Sequence, residues 1–150
     1  MISLSLEVKS IRHAGIVVTD IEQSIDFYTN ILGFKVQKDL NECGKYIDIF
    51  LGLDGVKVRT VKMSLNDSGM VELLHYQTHA ENIDETRKIN SIGCSHLALT
   101  VNNLDSLYKK ILDYGLSFIS PPHKSPDGFV KVAFCRDPNG VYLELVEELK

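Results

Sequence analysis

Two histidines and two glutamates stand where a water-soluble sheet would not ordinarily place them. His13 opens the short apolar run His13-Ala-Gly-Ile-Val-Val, and His96 opens His96-Leu-Ala-Leu-Thr-Val. Glu72 interrupts Met-Val-Glu-Leu-Leu, and Glu144 interrupts Val-Tyr-Leu-Glu-Leu-Val. An ionised carboxylate among apolar neighbours is costly unless it is paired, hydrogen-bonded or bound to a cation. Imidazole and carboxylate together suit a divalent first-row ion such as Zn, Ni, Co, Mn or Fe. Four protein ligands on an octahedral ion leave two positions for water or substrate, which is an open, catalytic arrangement. Taken singly, each of the four has an ordinary reading as a satisfied core histidine or a water-facing glutamate. Their recurrence in register is what favours the ligand reading.

That register comes from a repeat. His13-Ala-Gly-Ile-Val-Val-Thr-Asp-Ile21 aligns with His96-Leu-Ala-Leu-Thr-Val-Asn-Asn-Leu104 at an offset of 83 residues. In both, the residue two places after the histidine is small (Gly15, Ala98), which leaves room above the strand. A helix follows each time. The first is predicted from Ile21 to about Leu32, with Ile21, Ile25, Tyr28 and Leu32 on one face, Asp20 as cap and Gly33 as stop. The second is predicted from about Leu104 to Tyr114, with Gly115 as its stop.

After each helix the pattern alternates. Strands are predicted near Phe34 to Asp39, Lys45 to Leu51, Val56 to Ser64 and Met70 to Tyr76, with turns at Asp54-Gly55 and Asn66 to Gly69. In the second half they are predicted near Ser117 to Ser120, Val130 to Cys135 and Val141 to Glu147. The fold class is therefore α+β: two tandem βαβββ units, about 11–76 and 94–148, within one domain spanning 1–150. Neither unit buries a sheet face alone, so the two are expected to share one curved mixed sheet, with the four polar residues lining a metal-binding cup.

Composition sets the outer bounds. At 150 residues the chain has the length of one domain, and its 44% hydrophobic and 24% charged residues are the balance of a globular protein. With 16 Lys+Arg against 20 Asp+Glu, no broad basic surface for nucleic acid is expected. No apolar run is long enough for a membrane span, and Met1 to His13 lacks the pattern of a leader. Cys43, Cys94 and Cys135 form no paired motif, which points to a reduced, cytoplasmic setting.

These residues resemble the vicinal oxygen chelate superfamily, the glyoxalase/bleomycin resistance protein/dioxygenase family. The likeness runs from Ile11 to Glu147 and rests on His13-Ala-Gly-Ile-Val-Val, Ser24-Ile-Asp-Phe-Tyr-Thr-Asn-Ile-Leu-Gly-Phe34, His96-Leu-Ala-Leu-Thr-Val and Phe134-Cys-Arg-Asp-Pro-Asn-Gly140 leading into Leu143-Glu-Leu145. The resemblance implies a divalent metal held by His13, Glu72, His96 and Glu144, a small-molecule substrate that chelates it through neighbouring oxygens, and a homodimer. Within the family the ligand set is most like that of glyoxalase I.

Such a centre would stabilise an enediolate while a glutamate moves a proton, so Glu144 and Glu72 are the expected catalytic residues. The expected function is a metal-dependent isomerase, epimerase or lyase of lactoylglutathione lyase type. The alternatives are an extradiol-type dioxygenase and a non-catalytic small-molecule-binding or antibiotic-resistance protein of the same fold.

Overall fold

The structure is a computed structural model that describes residues 7–66 and 68–150, with Ser68 described in its backbone alone. Residues 1–6, the first part of the stretch read for a leader, and Asp67, in the predicted Asn66 to Gly69 turn, lie outside the described residues.

The repeat is present in the strand order. In the first unit β1 (Ala14–Val17) lies parallel to β4 (Ser68–Tyr76), which pairs antiparallel with β3 (Lys57–Leu65), and β3 with β2 (Lys35–Cys43). In the second, β5 (His96–Thr100) lies parallel to β8 (Tyr142–Glu148), which pairs antiparallel with β7 (Val130–Arg136), and β7 with the short β6 (His123–Lys124). The orders β1-β4-β3-β2 and β5-β8-β7-β6 thus match strand for strand.

The single curved sheet expected around a cup is corrected. The strands form two separate four-stranded mixed sheets, each ending at its own edge strand, β1 or β5. What joins the units is side-chain packing. One apolar core draws Ile16, Phe27, Tyr28, Val61 and Leu73 from the first unit and Leu104, Ile111, Cys135, Leu143 and Leu145 from the second.

The first helix begins as predicted. In α1 (Ile21–Asp26) the Asp20 side chain accepts the Gln23 amide at 3.0 Å. The helix then widens into a π-helical turn over Phe27–Ile31, with the Leu32 amide reaching back to the Phe27 carbonyl, and it stops at Gly33, whose φ is +84°. Both Phe27 and Tyr28 are fully buried along this stretch. The second-unit helix, α3 (Leu104–Asp113), is capped by Asn103, which accepts the Ser106 amide at 2.8 Å.

Two predicted strands are replaced. Lys45 to Leu51 is a helix, α2 (Lys45–Leu51), between Gly44 (φ +101°) and the left-handed Gly52 (φ +67°). The alternation Tyr46, Asp48, Phe50 reads as a strand in sequence. In three dimensions Tyr46 and Phe50, four apart, stack on one helical face, and Asp48 ties the helix to the next strand by accepting the Val56 amide at 2.9 Å. Ser117 to Ser120 supplies only the isolated bridge Phe118 to Cys135, and the strand that pairs with β7 is His123–Lys124.

Candidate functional site

Each sheet brings one histidine to one glutamate. His13, the residue before β1, places Nε2 2.8 Å from Oε2 of Glu72 on the adjoining β4. His96, the first residue of β5, places Nε2 2.9 Å from Oε2 of Glu144 on β8. The small residues sit where the repeat predicted, since Gly15 lies opposite Glu72 and Ala98 opposite Glu144 in the parallel ladders. A Cβ added at Gly15 would approach Leu74 Cδ1 to 3.4 Å.

The four side chains do not converge. Among the described residues no group of three or more His, Cys, Asp or Glu side chains is placed to hold a metal ion. The pairs stand on separate sheets, and in each the imidazole Nε2 faces its own glutamate. A divalent cofactor is therefore not supported. The metal-dependent isomerase, epimerase, lyase or dioxygenase built on that cofactor is corrected with it.

The two pairs differ in their surroundings. Lys62 lies across from Glu72 in the β3–β4 ladder, with Nζ 3.6 Å from Oε1, so an ammonium stands beside that carboxylate. His13 Nδ1 is buried and has no hydrogen-bond partner. The other ring nitrogen, Nε2, is the one that faces Glu72.

In the second pair, the Ser95 hydroxyl donates to the Ile89 carbonyl at 2.8 Å and lies 3.0 Å from His96 Nδ1. Ser95 thus links the Ile89 carbonyl to the His96 ring, whose Nε2 lies 2.9 Å from Glu144. The Phe134 ring meets His96 edge-on with centroids 5.2 Å apart.

Lys62 and Ser95 escaped the sequence reading. Lys62 could have been found by counting the β3–β4 register outward from the turn, and Ser95 by its place immediately before His96. Two other charged side chains serve the framework. Arg59 joins Asp39 on β2 to Glu22 on α1, and Lys131 joins Asp105 at 2.7 Å to Glu147 at 3.3 Å.

The larger hollows, of about 490 and 710 Å3, are lined by none of the four residues. A third cavity, of about 290 Å3, lies between the edge strands β1 and β5 and the segment before β5, and His96 forms part of its wall.

Among the described residues the buried polar side chains are those of Ser24, Thr60 and Asp137. Asp137, in the turn before β8, accepts the Tyr28 hydroxyl at 3.0 Å and the amides of Asn139 and Val141 at 2.8 and 2.9 Å, and so links the units. Burial pushes its carboxyl above the ordinary range, against the pull of those donors. Burial, reinforced by Asp137, likewise holds the Tyr28 hydroxyl well above its usual range.

Comparison with known proteins agrees with this architecture. The chain is 31% identical over 142 residues to the Bacillus subtilis (strain 168) protein YwkD, covering 93% of this chain and 98% of that one. It is 29% identical over 137 residues to the lactoylglutathione lyase of Escherichia coli O157:H7, covering 91% and 90%. A crystal structure of a glyoxalase family protein from Bacillus cereus superposes with a TM-score of 0.87 at 21% identity, covering 98% of this chain and all of that one, which shows a shared fold. Residues 10–145 match the Glyoxalase/Bleomycin resistance protein/Dioxygenase superfamily, and the chain belongs to that family.

Proposed function

We propose that the protein binds a small organic molecule and moves a proton on a carbon beside its carbonyl group, using its glutamates as the acid and base. The observation that carries this reading is the Glu144–His96–Ser95 chain of close polar contacts, which meets the wall of a cavity at His96 and Ser95. Glu72, paired with His13 and flanked by Lys62, is the second catalytic carboxylate. His96 and His13 orient the carboxylates, and Ser95 sets the ring of His96.

The test is hydrogen exchange in D2O, followed by NMR, for hydroxyacetone, dihydroxyacetone, pyruvate and lactate. At least one compound should exchange in the presence of the protein, unaffected by prior treatment with EDTA. Glu144→Gln should lower that exchange by about a hundredfold or more. Exchange that survives both Glu144→Gln and Glu72→Gln would defeat the proposal.

A homodimer is part of the same proposal. Tyr46, Ile49 and Phe50 on α2 are 77%, 73% and 71% exposed, an apolar face that this chain leaves uncovered. Light scattering after size exclusion should give twice the chain mass, and Phe50→Asp should give the chain mass. No described helix is long and apolar enough to cross a membrane, and the exposed thiols of Cys43 and Cys94 support a cytoplasmic setting.

A further inference from the structure

We propose that the cavity between β1 and β5 is a subsite for the carboxylate of a small monoanionic ligand, and that Arg87 is the residue that selects it. The proposal rests on the His96–Glu144 pair being the chemical centre, because that pair places the cavity beside the reacting proton. Arg87 and His96 both line the cavity, together with the apolar side chains of Ile16, Ile83 and Val141. A volume of about 290 Å3 lies at the lower end of small-molecule cavities, which suits a ligand of a few carbons.

Arg87 is half-buried and donates to the Cys94 carbonyl. The Lys and Arg ion pairs among the described residues are made by Arg59, Lys62 and Lys131, not by Arg87. Its guanidinium therefore lines the cavity with a carbonyl as partner and, among the described residues, no carboxylate within ion-pair distance. The neighbouring Arg136 is engaged otherwise. Its guanidinium lies 4.5 Å from the centre of the Tyr142 ring, and it donates to the Tyr142 hydroxyl and to the Arg87 carbonyl. A carboxylate is the group that a planar guanidinium binds through two parallel hydrogen bonds.

Asp84 lines the same cavity. Its carboxyl is held below the ordinary range by the hydroxyl and amide of Thr86 and then by the charge of Arg87, so it is ionised at neutral pH. A ligand with a single negative charge is balanced by Arg87. A dianion such as a phosphate monoester would set its second charge against Asp84. With the carboxylate at Arg87, the carbon chain runs over the apolar wall towards the His96 ring.

The full chain, isotope-labelled, is titrated with lactate, hydroxyacetone and inorganic phosphate while NMR follows the Arg87 side-chain N–H and the His96 ring. Lactate is expected to shift both signals and to bind at least tenfold more tightly than neutral hydroxyacetone or phosphate. Arg87→Gln should weaken lactate about tenfold and Arg87→Lys less, whereas Lys109→Gln, on the exposed side of α3, should bind lactate like the parent protein. The titration reads binding and the exchange assay reads proton transfer, so this proposal and the proton-transfer reading fail separately. Lactate binding no tighter than hydroxyacetone, equal binding of phosphate, no shift at either residue, or unchanged binding by Arg87→Gln would each overturn it. The comparison of lactate with hydroxyacetone needs no variant, so it holds even if Arg87→Gln fails to fold.

Discussion

Between the two imidazoles, the difference lies in the nitrogen that does not face glutamate. His96 Nδ1 reaches Ser95, and His13 Nδ1 has no partner. Ser95→Ala should therefore slow proton exchange by about fivefold, the worth of one hydrogen bond of about 1 kcal/mol, and broaden the His96 ring signals in NMR. Asp137 gives a second prediction. A carboxyl raised on folding binds its proton more tightly in the folded state, so its contribution is full at acid pH. Stability is lost as pH rises from about 3.9, the ordinary carboxyl value, through the raised folded value. Asp137→Asn should flatten that part of the pH profile in urea titrations.

Among the elements, α2 shows how a two-residue alternation can mislead. Tyr46, Asp48 and Phe50 alternate like a strand, but the flanking Gly44 and Gly52 supply backbone that starts and stops a helix. The deciding contact is non-local, since Asp48 accepts the amide of Val56 at the approach to β3. Asp48→Ala should cost about 1 kcal/mol and lower the hydrogen-exchange protection of the Val56 amide by about fivefold. The predicted strand from Ser117 to Ser120 fails for a related reason. Phe118 and Ile119 suggest a strand, yet the ladder to β7 is made by the exposed polar pair His123–Lys124, whose pairing is a matter of where the chain returns.

For the whole molecule, specific polar contacts join the units beside the shared core. Asn139 accepts the Thr19 amide and donates to Ser24, each at 3.0 Å, and Asp137 accepts from Tyr28. We propose that residues 1–150 form one domain on the strength of the shared core. Urea unfolding followed by circular dichroism and by tyrosine fluorescence should then give coincident single transitions, with the midpoint lowered by Asn139→Ala. Two transitions, one for each unit, would show that the repeat is also a pair of domains.

The repeat, the two helices, the Asp20 cap and the Gly33 and Gly115 stops are legible in the residues themselves, because period and capping chemistry act over a few positions. The mutual placement of the two pairs is not legible. Equivalent positions in two copies say which residues correspond, and only the packing of one copy against the other says whether they meet. Here the units join through the core and the Asp137 turn while their sheets remain separate, so four residues in register become two hydrogen-bonded pairs and not one metal centre. The same tertiary arrangement brings Arg87, from the connecting segment, to the cavity that His96 lines. No local pattern in the sequence could have shown this.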